Sequence, residues 1–266
     1  MIQPIFEVDP DAPIVLVEIG NTTVKLATWF EDNVKTPLVV PVSDADAFDK
    51  AFRAHLDDMS SKVPPATVVG SVVPEVLERV RDYLRDRLNR DALVVGERVS
   101  LPIDVGVSDA KAIGVDRVCA AAAAYDKIGR ACAVVDIGTA ITVDLVDDDG
   151  TLVGGAILPG LHMQLRALHE FTAQLPQVEP ALPEPAYGRN TTEAMQIGVC
   201  RGAIGAVREL IEGYASATNR WPQVVATGGG LELIRPALPF VDTIVEHLSL
   251  RGLGLAYRKP LEVSGA

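Results

Sequence analysis

Val17-Glu18-Ile19-Gly20-Asn21-Thr22 returns 118 positions later as Val135-Asp136-Ile137-Gly138-Thr139-Ala140. Each copy ends an apolar run that reads as a buried strand. Each sets an acid one residue ahead of an Ile-Gly step and leads into a second β-rich segment, Thr23 to Trp29 and Ile141 to Val146. One strand, acid and glycine in this order arises by chance in many chains, but two in matching surroundings indicate a duplicated unit. The expectation is an α/β protein of two similar lobes, residues 1–129 and 130–266, facing each other across a central cleft.

The stretches around the two copies alternate in the same sense. Phe48, Phe52 and Leu56 recur at four-residue spacing in an amphipathic helix that Ser43 can cap. A strand at Ala66 to Val69 is followed by a helix that Pro74 can start, with Val76, Val80, Leu84 and Leu88 on one stripe. After a strand at Leu93 to Val95, the five alanines Ala120 to Ala124 form a strong helix former that lets another element approach closely. Asp148 to Gly150 is a turn between two strands, and the four prolines from Pro176 to Pro185 mark an irregular connection. Thr191 to Tyr214 reads as helix, and Val224 to Ala226 as a strand running into Thr227-Gly228-Gly229-Gly230.

Composition narrows the function. The 24 Lys and Arg against 36 Asp and Glu give a formal charge of −12, which disfavours a sequence-blind nucleic-acid binder or an anionic-membrane binder. The first residues lack a basic segment followed by an apolar one, and no apolar run reaches membrane-spanning length, so a cytoplasmic protein is expected. Cys119, Cys132 and Cys200 have no metal-ligand spacing and read as small core residues, and the four histidines form no ligand pair.

The turns carry phosphate chemistry. Glycine lets a ligand approach bare backbone, and the N–H groups and hydroxyls of a tight strand-to-strand bend can hold phosphate oxygens. An acid at such a bend can hold a metal ion that bridges to phosphate, and Lys25 adds a cation three residues after Thr22. The same residues also suit an ordinary hairpin with a solvated glutamate. Gly114-Val115-Asp116-Arg117 opens the alanine helix. Its aspartate can accept a hydroxyl proton and its guanidinium can grip a carboxylate or phosphate, although an acid stabilised by the helix dipole is the plainer alternative. In Gly154-Gly155-Ala156-Ile157-Leu158-Pro159-Gly160, glycines and a proline bracket an apolar strand before a helix from about Leu161.

In order along the chain, these stretches resemble the type III pantothenate kinases of the acetate kinase, sugar kinase, Hsp70 and actin superfamily. The resemblance rests on Glu18 to Lys25, Ser71-Val72-Val73-Pro74, Gly114 to Arg117, Asp136 to Thr142, Gly154 to Gly160, and Gly188-Arg189-Asn190-Thr191 with Ala194 and Gly198. It implies a duplicated actin-like, ribonuclease H-like fold and ATP-dependent phosphorylation of pantothenate, the first step of coenzyme A synthesis. By position it implies Asp116 as general base and Gly114, Val115, Asp116, Arg117 and Thr191 as pantothenate contacts. ATP would be held by Glu18, Ile19, Gly20, Asn21, Thr22, Thr23, Val24, Lys25 and Thr139. Asp136 would bind a monovalent cation, potassium or ammonium, and Glu18 could meet the magnesium that accompanies the nucleotide. A homodimer is also implied.

Three positions depart from the family pattern. Glu18 stands where the family has aspartate, Val107 stands where it usually has a pocket tyrosine, and residues 1–13 precede its usual start. Those departures leave open a catalytically altered paralogue that acts as a nucleotide-responsive binding protein, or a kinase of a related small alcohol.

Overall fold

The computed structural model describes residues 12–58, 65–110 and 112–259. Most of the leader ahead of the first strand lies outside the described residues. The chain begins with β1 (Ile14–Ile19), β2 (Thr23–Phe30), β3 (Asn33–Pro41), α1 (Ala45–Asp58), β4 (Thr67–Ser71), α2 (Pro74–Leu88) and β5 (Leu93–Val94). It continues with β6 (Asp104–Val105), α3 (Val115–Ile128), β7 (Cys132–Ile137), β8 (Ala140–Val146), β9 (Thr151–Pro159), α4 (Leu161–Glu170) and α5 (Thr191–Thr218). It closes with β10 (Gln223–Thr227), the short α6 (Leu231–Ile234), β11 (Thr243–Ile244) and α7 (Leu248–Arg258).

The duplication read from the motif echo is a duplication of sheets. One sheet runs β3-β2-β1-β4-β5, and the other, read in the same sense, runs β9-β8-β7-β10-β11 with β6 added beside β9. In both, the first three strands are antiparallel and the next two join parallel to the first. β1 and β7 are therefore the central strands of their sheets. Their burial on both faces explains the unbroken apolar runs that first marked them.

Around the first sheet, β1 puts Val15, Val17 and Ile19 on one face against Phe48 and Phe52 of α1 and Val76, Val80 and Leu84 of α2. Phe48, Phe52 and Tyr83 pack their rings at centroid separations of 5.3–6.1 Å. The Leu56 side chain lies outside the described residues. α1 starts later than expected: Asp44, not Ser43, caps it, accepting the Ala47 N–H at 2.8 Å. On the opposite face Ile14, Leu16 and Trp29 pack with Cys119 of α3 and Leu250, Leu253, Ala256 and Tyr257 of α7.

In the second sheet, Val135 and Ile137 of β7 pack with Leu165 of α4 and Met195, Val199, Ala203, Val207 and Ile211 of α5. The five alanines of α3 are buried, as are all three cysteines. Thr151 follows the expected turn, in which Gly150 has φ +85 and rests against the Tyr125 ring. The prolines from 176 to 185 lie outside helices and strands.

The compact units interleave along the chain. The first comprises the described parts of residues 1–102, 114–119 and 249–266, and the second those of 103–113 and 120–248. This partition differs from one division at 129/130 because tertiary packing, not chain order, assigns the outlying pieces. α7 fills the second face of the first sheet, and β6 pairs with β9 in the second.

Candidate active site

In the first unit, β1 ends on Glu18 and Ile19, and the chain reverses through Gly20-Asn21-Thr22 into β2. The Gly20 N–H donates to the Thr23 carbonyl at 2.9 Å and closes the turn, leaving Asn21 and Thr22 exposed. Pairing register sets Lys25 of β2 directly opposite Glu18. Lys25 Nζ donates to Glu18 Oε1 at 2.9 Å, and Ser249 Oγ of α7 donates to Glu18 Oε2 at 2.5 Å. Two flanking segments are tied to the same end of the sheet: the Val72 N–H donates to the Ile19 carbonyl at 3.0 Å, and the Val42 N–H to the Thr22 carbonyl at 2.9 Å.

Asp116 belongs to this unit, in the first turn of α3. Its Oδ1 accepts the Arg117 backbone N–H at 2.9 Å, so the carboxyl folds back over the helix start. Gly114 makes this possible: a Cβ there would sit 2.4 Å from Asp116 Oδ1. The Gly114 carbonyl accepts the first helical N–H groups, from Arg117 at 3.1 Å and Val118 at 3.2 Å. Burial pushes the Asp116 carboxyl above the ordinary aspartate range, and the Glu18 charge adds to the push. The Arg117 N–H and guanidinium act in the opposite direction. The Cys119 thiol beneath is pushed well above its usual value by burial and by these two carboxylates, which makes it a core residue and not a nucleophile.

In the second unit, Gly138 and Thr139 form the matching turn, closed by the Gly138 N–H donating to the Ala140 carbonyl at 2.9 Å. Bare backbone surrounds it. A Cβ on Gly160 would meet the Thr139 and Gly138 carbonyls at 2.3 and 2.4 Å. A Cβ on Gly228, which has φ +106, would lie 2.5 Å from Asp136 Oδ1 and from the N and O of Ile137. The Gly230 N–H donates to the Ile137 carbonyl at 2.8 Å. Gly160, Gly228 and Gly230 are thus needed for close approach around Asp136 to Thr139, whereas Gly155 meets Asp144 and Val143, and Gly154 and Gly229 have open space beside them.

The expected residues fall into two groups. Glu18 to Lys25 and Gly114 to Arg117 lie in the first unit, whereas Asp136, Thr139 and Thr191 lie in the second. Thr191 is the exposed first residue of α5, behind an Asn190 cap that accepts the Glu193 N–H at 2.9 Å. Gly188 lies so close to this helix start that a Cβ would be 2.3 Å from the Ala194 nitrogen. Val107, where the family pattern has tyrosine, is half-buried in the second unit. Sequence reasoning missed Ser249. Its partner is 231 positions away, and no local pattern marks it.

The described residues contain no group of three or more His, Cys, Asp or Glu side chains able to hold a metal. Asp136 is the better fit of the two expected metal residues. Its Oδ1 lies close to the Gly228 and Gly138 backbones, and a carboxylate oxygen is the ligand type a hard cation takes. Both Glu18 oxygens are engaged, so a directly bound magnesium ion would have to displace the Lys25 ammonium.

Two sheets of the same strand order, each carrying a glycine turn at the end of its central strand, define the duplicated actin-like α/β fold. Solved structures share it. One is a Campylobacter jejuni protein described as a Baf family transcriptional activator, with a TM-score of 0.60 at 18% identity over 91% of this chain and 96% of that one. Another is a Sinorhizobium meliloti protein provisionally described as a 2-dehydro-3-deoxygalactonokinase, with a TM-score of 0.56 at 13% identity over 95% and 98%. The family profile of type III pantothenate kinases matches residues 14–213. Proteins named type III pantothenate kinase are 40% identical in Ruegeria pomeroyi, over 92% of this chain and 96% of the relative, and 31% in Moorella thermoacetica, over 92% and 99%. The chain belongs to the type III pantothenate kinase family and is a kinase.

Proposed function

We propose that this protein transfers the γ-phosphoryl group of ATP to the primary hydroxyl of pantothenate, giving 4'-phosphopantothenate for coenzyme A synthesis. Asp116 accepts the hydroxyl proton as the hydroxyl oxygen bonds to phosphorus. The bond from that phosphorus to the β-phosphate oxygen breaks, and ADP leaves. Arg117 grips the pantothenate carboxylate or the transferring phosphoryl group, with Gly114, Val115 and Thr191 as further substrate contacts. The turns at Gly20 to Lys25 and at Gly138-Thr139 hold the nucleotide phosphates by N–H groups, hydroxyls and the Lys25 charge. Magnesium, when bound with the nucleotide, supplies charge neutralisation across the phosphates. Asp136 is the residue suited to a potassium or ammonium ion.

The observation that carries the reading is the Asp116 carboxyl, partly buried, folded over side-chain-free Gly114 and raised in pKa toward the range useful to a base. We also infer a homodimer in the cytoplasm. The second unit exposes Ile157 and Phe171, 63% and 85% accessible, apolar side chains that a second copy could cover. Among the described residues no helix is long and apolar enough to cross a membrane. The test is incubation with ATP, magnesium, potassium or ammonium and pantothenate, read by mass spectrometry with Asp116→Asn as control. Product from the wild type alone is expected. ATP binding without product would favour the altered paralogue or a different small alcohol.

A further inference from the structure

Glu18 is held at both ends of its carboxylate by residues from opposite ends of the chain. Lys25, its cross-strand neighbour on β2, takes Oε1 at 2.9 Å, and Ser249 takes Oε2 at 2.5 Å. Ser249 and Glu18 are buried, 4% and 8% accessible, whereas the Lys25 side chain is 30% accessible beside the exposed Asn21-Thr22 turn. A buried carboxylate oxygen needs a donor, and here the serine hydroxyl is the one supplied from outside the sheet. Ser249 is also the residue at which the chain re-enters the first unit.

The rest of α7 is positioned to hold that hydroxyl in place. Gly252 approaches the Cys119 backbone so closely that a Cβ would lie 2.0 Å from its carbonyl oxygen, and Leu253 reaches to within 2.7 Å of where a Gly70 Cβ would be. Gly70 is the residue of β4 paired with Glu18. The helix is therefore locked against both the strand next to Glu18 and the start of the Asp116 helix.

We propose that Ser249 is a positioning residue for nucleotide binding: its hydroxyl fixes the Glu18 carboxylate, which in turn fixes the Lys25 ammonium beside the Gly20-Asn21-Thr22 turn. The inference rests on the kinase reading above and deepens it. A glutamate free at one oxygen can rotate about its three side-chain torsions and carry its lysine with it, so the cation is no longer preset where phosphates bind. The longer glutamate also gains a purpose. One methylene less would withdraw the carboxylate by about 1.5 Å, out of reach of the serine.

The experiment measures ATP affinity by calorimetry, together with kcat and KM for ATP, for Ser249→Ala and Ser249→Thr. Ser249→Ala is then repeated in a Glu18→Asp background, and melting curves show that each variant is folded. Ser249→Ala is expected to weaken ATP binding and raise its KM about tenfold, the scale of one lost charge-assisted hydrogen bond, while kcat falls less than about threefold. Ser249→Thr restores affinity, and in the Glu18→Asp background the alanine change adds less than about twofold because the pair is already broken. Equal losses in both backgrounds, or unchanged ATP affinity with only a lowered melting temperature, would overturn the proposal. The ATP arm does not depend on the acceptor. A wild type that binds ATP without making phosphopantothenate contradicts the pantothenate reading, and the affinities still decide the role of Ser249.

Discussion

At the end of β1 the backbone takes three residues, Gly20, Asn21 and Thr22, to reverse into β2, whereas at the end of β7 Gly138 and Thr139 suffice. The acids before the turns also differ in company. Glu18 is clamped by Lys25 and Ser249, while the Gly228 backbone packs closely on Asp136 Oδ1. Opposite Ile19 in the parallel partner strand stands Ser71, whereas β10 ends on Thr227, opposite Asp136, and Gly228 follows it. Ser71 uses its hydroxyl to bond the Val73 N–H and carbonyl, and Gly228 has φ +106 with no room for a Cβ. One sheet plan thus supports a turn flanked by an ion pair and a turn packed closely against glycine backbone. Duplication conserves the strand order, and the positions just after the strand ends are where the two copies were free to specialise.

The largest expected effect separates the units by chemistry. Only the first carries the candidate base, so Asp116→Asn should lower kcat about 10²–10⁴-fold and leave ATP affinity within a few-fold. A variant that retains turnover removes Asp116 from that role. Gly228→Ala comes next. It forces a side chain into a left-handed backbone, which alone costs about 1–3 kcal/mol, and drives a methyl against Ile137 and Asp136. Denaturant melts should register the loss, and ATP affinity should fall with it. Full stability would show that the second turn is less confined than its geometry indicates.

The pH dependence follows from burial. With the Asp116 pKa raised, the acid limb of kcat/KM should lie above the ordinary aspartate value of about 3.9, and a limb at or below that value would contradict the assignment. The native state binds this proton more tightly than the unfolded chain, so the Asp116 contribution to stability is present at low pH and is lost as pH rises through the folded pKa. Asp116→Asn should therefore raise the melting temperature at neutral pH, an advantage that vanishes below about pH 3.9. Smallest of all is Ser71→Ala, which removes one turn hydroxyl and should cost about 1 kcal/mol. A loss as large as that of Gly228→Ala would erase the contrast between the turns.

Those contrasts were unevenly legible in the sequence. The echo could be read because strand, acid and glycine are consecutive, and the α2 stripe because its period is local and Pro74 begins it. Strand β3 gives little signal, since Pro37 and polar residues interrupt it, a composition tolerated on a sheet edge. Helix α7 contains Gly252 and Gly254, which lower its intrinsic propensity. The reasons for both are tertiary, the Cys119 backbone and the Trp29 ring. The Gly114-to-Arg117 motif pointed to the base, yet nothing local reveals that Gly114 must lack a side chain for Asp116 to fold back. Ser249 was invisible because its meaning lies wholly in a contact with a residue at the other end of the chain.

The most direct measurement determines, on folded Asp116→Asn, the ATP dissociation constant and the phosphopantothenate formed in a single turnover. The account predicts an affinity within a few-fold of wild type and no product above background. Product at the wild-type rate would contradict it, because the half-buried carboxyl at the head of α3 would then not be what accepts the substrate proton.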